Sequence, residues 1–115
     1  MNPAIYTIPT HYRGDTLNSI TFTIKENTVA IDLTSASIKM DFRKGSDTGA
    51  LQESKTIGYG LLVTDAVNGV FEMIAYINNW EAGVYFYDMQ ITFPSSIIRT
   101  YVKGTLTVKQ DVAGV

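Results

Sequence analysis

Alternation of apolar and polar residues along the last third of the chain is the feature that most restricts its fold. From Tyr85 to Phe93 every second residue is large and apolar, and polar residues such as Asp88 and Gln90 stand between them. Because successive side chains of a β-strand point to opposite sides, this period of two predicts a strand with one buried and one solvated side. A second alternating segment follows the turn at Pro94-Ser95-Ser96, so together they predict a long antiparallel hairpin.

The alternation assigns a side to each residue of this hairpin. The residues predicted to face the core are Tyr85, Tyr87, Met89 and Ile91 in the first strand and Ile98, Val102, Leu106 and Val108 in the second. The residues of the second strand predicted to face outward are Arg99, Tyr101, Lys103 and Thr105. Gly104 interrupts the inward side, which predicts either a bulge or the close approach of another backbone segment at that position.

The same period of two recurs earlier, in residues 20–25, 29–33 and 38–42. Residues 51–57 are weakly patterned and carry several charges, which is typical of an edge strand protected from mispairing. Asn68-Gly69 predicts a tight hairpin turn of type I′. Turn signals recur about every 8–12 residues and no helical periodicity extends beyond one turn. The sequence therefore predicts an all-β sandwich of about seven to nine strands, with a closed barrel as the alternative.

The segment from Trp80 to Tyr85 favours the sandwich. It resembles the corner before strand F of immunoglobulin-like domains, where a tyrosine hydroxyl binds upstream backbone. Tyr85 is the expected corner residue. A chain of 115 residues has the usual size of one domain. We therefore expect residues 1–115 to form a single immunoglobulin-like antiparallel β-sandwich.

Composition argues against several classes of function. The net charge of −2 gives no basic surface for nucleic acid, and no apolar run approaches the roughly 18 residues that span a bilayer. Residues 1–9 lack the basic-then-apolar pattern of a secretory signal, so we expect synthesis in a cytoplasm. Without cysteine, packing alone is expected to hold the core.

Residues that would carry out chemistry are sparse. His11 is the single histidine, and the chain has no cysteine, which argues against a zinc or copper site and against a catalytic triad. Asp32, Asp41, Asp65 and Asp88 could in principle pair as glycosidase carboxylates do, but their positions beside turns or between apolar strand residues favour turn caps and a solvated face. The sequence thus predicts no catalytic residue, no cofactor and no metal.

Outward-facing aromatic residues suggest an interaction surface. Phe86 and Tyr101 are predicted to face out of the hairpin, with Arg99 and Lys103 beside them, and Tyr and Arg are enriched at protein contacts. With Trp80, these rings would also suit stacking against a sugar. The alternative is structural, with Trp80 closing one end of the core and Tyr101 packing across strands.

The order of several short segments resembles a known family, the small immunoglobulin-like modules of tailed bacteriophages and prophages, similar to the N-terminal domain of upper baseplate proteins. The resemblance extends from about residue 5 to residue 112. Its segments are Gly14-Asp15-Thr16, Ile31-Asp32-Leu33-Thr34, Asn68-Gly69-Val70-Phe71, Ala82-Gly83-Val84-Tyr85-Phe86-Tyr87-Asp88, and Gly104-Thr105-Leu106-Thr107-Val108 with Asp111-Val112.

This resemblance implies a non-catalytic virion protein, made in the host cytoplasm, that contacts other virion subunits or copies of itself. The matching landmarks are structural: Gly14 and Gly83 at turns, Asp32 and Thr34 at a strand junction, and Tyr85 at the corner. Two other hypotheses remain open. One is a carbohydrate-binding or adhesin-type module, and the other is an accessory domain of a larger enzyme or a small enzyme in itself.

Overall fold

The computed structural model describes residues 3–110, which form thirteen strands and no helix. The strands are β1 (Ala4–Ile5), β2 (Ile8–Tyr12), β3 (Thr16–Leu17), β4 (Ile20–Thr23), β5 (Lys25–Glu26), β6 (Val29–Ala30), β7 (Ser37–Lys44), β8 (Ala50–Ile57), β9 (Gly60–Asp65), β10 (Val70–Met73), β11 (Tyr76–Ile77), β12 (Gly83–Thr92) and β13 (Ile98–Lys109). Residues 3–110 thus include no helix that could cross a bilayer. Asp111 and Val112 lie outside the described residues.

Two groups of strands face each other. In the first, β8, β7, β12 and β13 are antiparallel neighbours, and β1 and β2 run parallel to β13 along its free edge. In the second, β10 pairs with both β9 and β4. A two-residue parallel ladder between β8 and β9 joins the groups into one nine-stranded sheet.

This arrangement matches that of an immunoglobulin domain. The strands β7, β12 and β13 take the places of C, F and G, with β8 as the added C′ strand, and β4, β10 and β9 take those of B, E and D. The predicted all-β, immunoglobulin-like sandwich is therefore confirmed. The nine strands of the main sheet equal the upper end of the predicted count, and the four others form two-residue pairings.

The inward side chains of both groups form one core. In β12, Tyr85, Tyr87, Met89 and Ile91 are all buried, as the alternation predicts. The largest side chains with almost no exposure are Tyr85, Phe42, Phe71, Ile8, Leu33, Ile38, Met40, Leu61, Met73, Met89, Ile91 and Leu106. Since burying one such apolar side chain contributes about 1.5–3 kcal/mol, packing alone can stabilise a chain without disulfides.

The side assignment of β13 is correct for Val102, Leu106 and Val108, which are buried, but wrong near the start of the strand. Tyr101 is 4% exposed and Ile98 is 57% exposed, the reverse of the prediction. The pairing passes from Met89–Val102 to Gln90–Thr100, so Tyr101 is the extra residue of a β-bulge. This extra residue reverses the alternation on its N-terminal side.

Gly104 is a point of close backbone approach, one of its two predicted explanations. A Cβ atom there would overlap the carbonyl oxygen of Tyr6. The backbone N–H of Tyr6 donates to the carbonyl of Lys103 at 2.9 Å, and the Tyr87 hydroxyl donates to the carbonyl of Tyr6. The N-terminal segment therefore lies directly against β13, and only glycine leaves room for it.

The hairpin at Asn68-Gly69 is present, but its turn is not the predicted two-residue type I′. Gly69 has a φ of +72°, Asn68 has no positive φ, and the N–H of Gly69 donates to the carbonyl of Ala66 at 3.1 Å. The pairing of β10 with β9 shifts by one residue between Val70 and Phe71. The connection is thus a longer turn ending in a left-handed glycine and a bulge.

The tyrosine corner is confirmed. The Tyr85 hydroxyl donates to the carbonyl of Glu81 at 2.7 Å, four residues upstream. The half-buried ring of Trp80 lies 4.9 Å from the Tyr85 ring and 5.1 Å from the Phe42 ring, measured between centroids. Trp80 therefore closes one end of the core, as its structural interpretation predicts.

Replacing Tyr85 with phenylalanine tests the corner. The ring stays and only the hydrogen bond to Glu81 is lost, so the expected loss of unfolding free energy in urea is about 0.5–1.5 kcal/mol. Tyr12 is half exposed and its hydroxyl has no partner in residues 3–110, so Tyr12→Phe is the matched control and should change little. Equal losses in the two variants would contradict a stabilising corner.

A buried polar cluster closes the sandwich where β8 turns into β9. Lys55 is 3% exposed, and its Nζ lies 3.1 Å from Glu53 Oε2 and 3.7 Å from the centroid of the Tyr76 ring. Asn78, fully buried, donates to the Tyr76 hydroxyl at 3.0 Å and accepts from the N–H of Trp80 at 2.9 Å. Burial and the charge of Glu53 raise the pKa of Tyr76. Lys55, one of the charged residues predicted to protect an edge strand, is therefore buried in the interior and paired there with Glu53.

Candidate interaction surface

The outer side of the β13–β12–β7–β8 sheet carries two rows of side chains. Directly paired residues of antiparallel strands project to the same side. One row runs from Lys103 through Asp88 and Asp41 to Ser54. The next runs from Thr105 through Phe86 and Arg43 to Leu51. The first row thus places two aspartates side by side at the centre of the sheet.

These rows form the floor of a concave site of about 450 Å³, which we call the outer cleft. Its principal residues are Ile5, Asp41, Arg43, Phe86, Asp88 and Lys103. Ile5 of β1 pairs with Lys103 and forms one wall, and Asp47 of the β7–β8 loop lines the cleft too. Phe86 is half-buried and supplies an aromatic ring among the charges. The cleft is large enough to receive a side chain or a short loop.

Three of the six charged side chains that line the outer cleft, Lys39, Asp41 and Arg43, have partners among residues 3–110. Asp41 accepts a hydrogen bond from the Ser54 hydroxyl, and its other oxygen lies 3.5 Å from Lys39 Nζ. Arg43 Nη1 donates to the carbonyl of Gly49 at 3.1 Å. These contacts hold Asp41 and Arg43 in place.

Asp88 is different, because residues 3–110 give its carboxylate no hydrogen bond and no ion pair. Partial loss of solvent and the neighbouring charge of Asp41 raise the pKa of Asp88, and Arg43 and Lys39 offset only part of this effect. The side chain of Asp88 is nevertheless exposed, and on β13 it is paired directly with Lys103.

The structure changes the membership of the predicted interaction surface. Phe86 and Lys103 face outward, as predicted, and line the outer cleft. Tyr101 does not, because it is buried and packs edge-on against Phe93 with 6.3 Å between ring centroids. Arg99 is exposed, but it pairs with Ile91 and so lies on the side of the sheet opposite the outer cleft. Both errors follow from the bulge at Tyr101.

Sequence reasoning missed Asp41, Asp88 and Arg43 as members of one site. From the sequence, Asp41 and Asp88 are a possible carboxylate pair for which a solvated face is favoured, and Arg43 has no assigned role. A signal was present, since Lys39, Asp41 and Arg43 in one segment, and Asp88 and Gln90 in the other, stand at alternate positions. What the sequence does not contain is the register between β7 and β12, which sets Asp41 directly opposite Asp88.

The remaining predicted landmarks lie at structural positions away from the cleft. Asp32 Oδ1 accepts from the N–H of Thr34 at 2.9 Å and from its hydroxyl at 2.6 Å, which lowers the pKa of Asp32. Asp65 accepts from the Asn68 side chain at 2.8 Å. His11 is buried, and within residues 3–110 its Nε2 has no hydrogen-bond partner. Asp32 and Asp65 thus cap turns, as predicted.

The outer cleft presents charged side chains and the aromatic ring of Phe86 to a binding partner. Asp41 and Asp88 are cross-strand neighbours on one outer face, which differs from a pair of carboxylates facing each other across a glycosidase cleft. In the described part of the chain, no three His, Cys, Asp or Glu residues converge as potential metal ligands.

Comparisons with known proteins find similarity among solved structures alone. No family model matches the chain, and no curated protein matches it. Among solved structures, murine CRIg is similar, with 19% sequence identity over 93% of each chain and a TM-score of 0.35.

Proposed function

We propose that this chain is a non-catalytic structural module of a bacteriophage or prophage virion, associated with the tail or baseplate, and that it acts through protein–protein contacts at the outer cleft. The observation that carries the proposal is the cleft itself, a concave sheet face with an aromatic floor among charged side chains. The resemblance of the chain to phage immunoglobulin-like modules supplies the virion setting.

The positions of the landmark residues support this proposal. Gly14 has a φ of +91° and donates its N–H to the carbonyl of Asn78, and Gly83 begins β12. Asp32 and Thr34 bind each other at a strand junction, and Tyr85 anchors the corner. Every landmark thus maintains the fold. This is expected of a module whose work is to present a surface.

The shape of the cleft favours a different subunit as partner over a second copy of the same face. Two concave faces related by a two-fold axis would enclose a void, whereas a protruding loop of another subunit would fill the space. We therefore place the main contact with another virion subunit. Self-association through this face is the less favoured alternative, and the virion is the proposed location of the chain.

Two of the three aromatic residues on which the carbohydrate-binding alternative depends pack against other rings of the chain. A stacking platform needs exposed rings, but Trp80 packs against Phe42 and Tyr85, and Tyr101 is buried against Phe93. Of the three rings, Phe86 alone lines the outer cleft. A protein partner therefore accounts better for a site that combines one ring with several charges.

The proposal is tested by following an epitope-tagged chain into phage particles purified by density gradient. Wild-type chain is expected to co-sediment with tails or complete virions and to be detected by mass spectrometry. Phe86→Asp places a charge on the floor of the cleft and should prevent incorporation. Glu72→Lys is the matched control, because Glu72 lies on the outer side of β10 in the opposite layer.

Absence of the wild-type chain from every particle fraction would overturn the virion assignment. Incorporation of Phe86→Asp at the wild-type level would leave that assignment standing and would remove the outer cleft as the contact. Circular dichroism of both variants confirms that an effect does not arise from unfolding.

A further inference from the structure

We propose that the free edge of β4 pairs with the same edge of a second copy of this chain, with the two strands antiparallel about a two-fold axis. This contact does not depend on the function proposed for the outer cleft, because β4 lies in the opposite layer of the sandwich. One chain could therefore bind a second copy through β4 and a different subunit through the cleft.

Strand β4 lies at an edge because the N-terminal segment pairs elsewhere. In an immunoglobulin sandwich, strand A lies beside strand B and completes that layer. Here β4 takes the place of B, but β1 and β2 both run along β13 in the other layer. Within residues 3–110, β4 therefore pairs with β10 on one side and with no strand on the other.

The backbone groups on the free side of β4 belong to Thr21 and Thr23. In antiparallel strands, every second residue directs both its N–H and its C=O towards the same neighbour. The N–H of Ile24 donates to the carbonyl of Gly69 at 2.9 Å, in register with the ladder between β4 and β10. Ile24 and Phe22 thus face β10, so Thr21 and Thr23 direct their backbone groups away from it. The side chains of both threonines are exposed as well.

The other exposed edges of the main sheet carry features that prevent pairing with another chain, whereas β4 has none in the described residues. Proline, bulges and very short strands are common devices of this kind. Strand β1 has two residues and β2 contains Pro9. The register shifts leave Gln52 of β8 and Thr64 of β9 as the extra residues of bulges. Strand β4 has an unbroken ladder with β10, and residues 18–24 contain no charge and no proline.

The chemistry of this edge suits a second copy of itself. A two-fold axis brings the same strand of both copies together, so a charged strand would set like charges side by side, and β4 avoids this. Antiparallel pairing centred on Phe22 places Thr21 of each copy opposite Thr23 of the other. Each threonine then finds a partner for its N–H and its C=O, and threonine pairs across strands are favourable. The β9–β10–β4 layers of the two copies would form one continuous sheet.

The association state of the intact chain tests this contact. A strand of four residues buries much less than the roughly 1,200 Å² of a standard interface, so we expect a weak dimer whose fraction rises between about 0.1 and 1 mM. Sedimentation equilibrium measures this fraction. Over the same concentrations, amide hydrogen exchange of Thr21 and Thr23 should slow, while that of Asp47 and Thr48, in the loop between β7 and β8, should not change.

The double variant Thr21→Lys with Thr23→Lys sets like charges along the edge of both copies and should abolish the dimer. Thr48→Lys with Thr64→Lys is the matched control, because both threonines are exposed and the same charge is added away from β4. This control should dimerise as the wild type does. Circular dichroism reports whether each variant is folded.

A monomer throughout this concentration range would overturn the proposed pairing, as would a dimer in which amide exchange at Thr21 and Thr23 stays fast. A dimer that persists in the Thr21→Lys, Thr23→Lys variant would place the contact on another surface. Loss of the dimer in both double variants would show repulsion by net charge and would also reject pairing through β4.

Discussion

Replacing Glu53 with leucine is expected to lower the unfolding free energy by about 3–5 kcal/mol, because it leaves the buried charge of Lys55 without a counter-ion. Glu53 Oε2 lies 3.1 Å from Lys55 Nζ, and the lysine side chain is almost completely enclosed. The ring of Tyr76 remains beside the ammonium group but carries no full charge. Urea unfolding followed by fluorescence measures the loss.

Two further variants show whether the loss arises from the unpaired charge. The double variant Glu53→Leu with Lys55→Met removes both charges and should recover most of the stability, since a well-packed apolar pair often replaces a buried ion pair at no cost. Glu81→Gln breaks the exposed pair with Lys44, whose N–O distance is 2.8 Å, and should cost less than about 1 kcal/mol. A Glu53→Leu loss as small as that of Glu81→Gln would mean that Lys55 reaches water.

Replacing Met89 with alanine is expected to cost about 2–5 kcal/mol, as deletions of large buried side chains do. Met89 is completely buried at the centre of β12, with Met40 and Val102 paired on its two sides. The residues around Met89 are held in place by the pairing of β12 with β7 and β13, so they cannot fill the resulting cavity without breaking backbone hydrogen bonds. The same urea measurement gives the free energy.

Gln90→Ala is the matched control for this prediction. Gln90 is the next residue of β12 and projects into the solvated outer side, so its truncation should change stability by no more than about 0.5 kcal/mol. Losses of similar size in the two variants would show that the register of β12 is misassigned.

The contrast between β12 and β13 shows where prediction from sequence succeeds. The pairing of β12 with β7 is unbroken from Tyr85 to Thr92, so the alternation of that strand maps directly onto burial. In β13 the bulge at Tyr101 reverses the sides of the residues before it. Tyr101 and Val102 are adjacent, and either side chain can be buried. The sequence therefore does not show which of the two continues the alternation of buried and exposed residues. One extra residue moves a whole set of side chains to the other face.

The candidate site and the Lys55 cluster were harder to predict for a common reason. Asp88 and Asp41 come together only through pairing between two strands far apart in the chain. Lys55 is enclosed only because Tyr76 and Asn78 arrive from another segment. A charged residue on a weakly patterned strand is normally solvated, and local pattern alone contains no information about these later partners.

The parallel course of the N-terminal segment along β13 has a mechanical consequence. Tension applied between residues 3 and 110 would pull β1–β2 and β13 in opposite directions along their own axes. The bonds between them, from Ala4–Val102 to Tyr12–Lys109, would then be loaded in shear and would have to break together, not one after another. Because forced unfolding is governed by the unfolding rate, such a ladder would delay extension of the chain under load. A module built in this way is suited to a position in an assembly that transmits force.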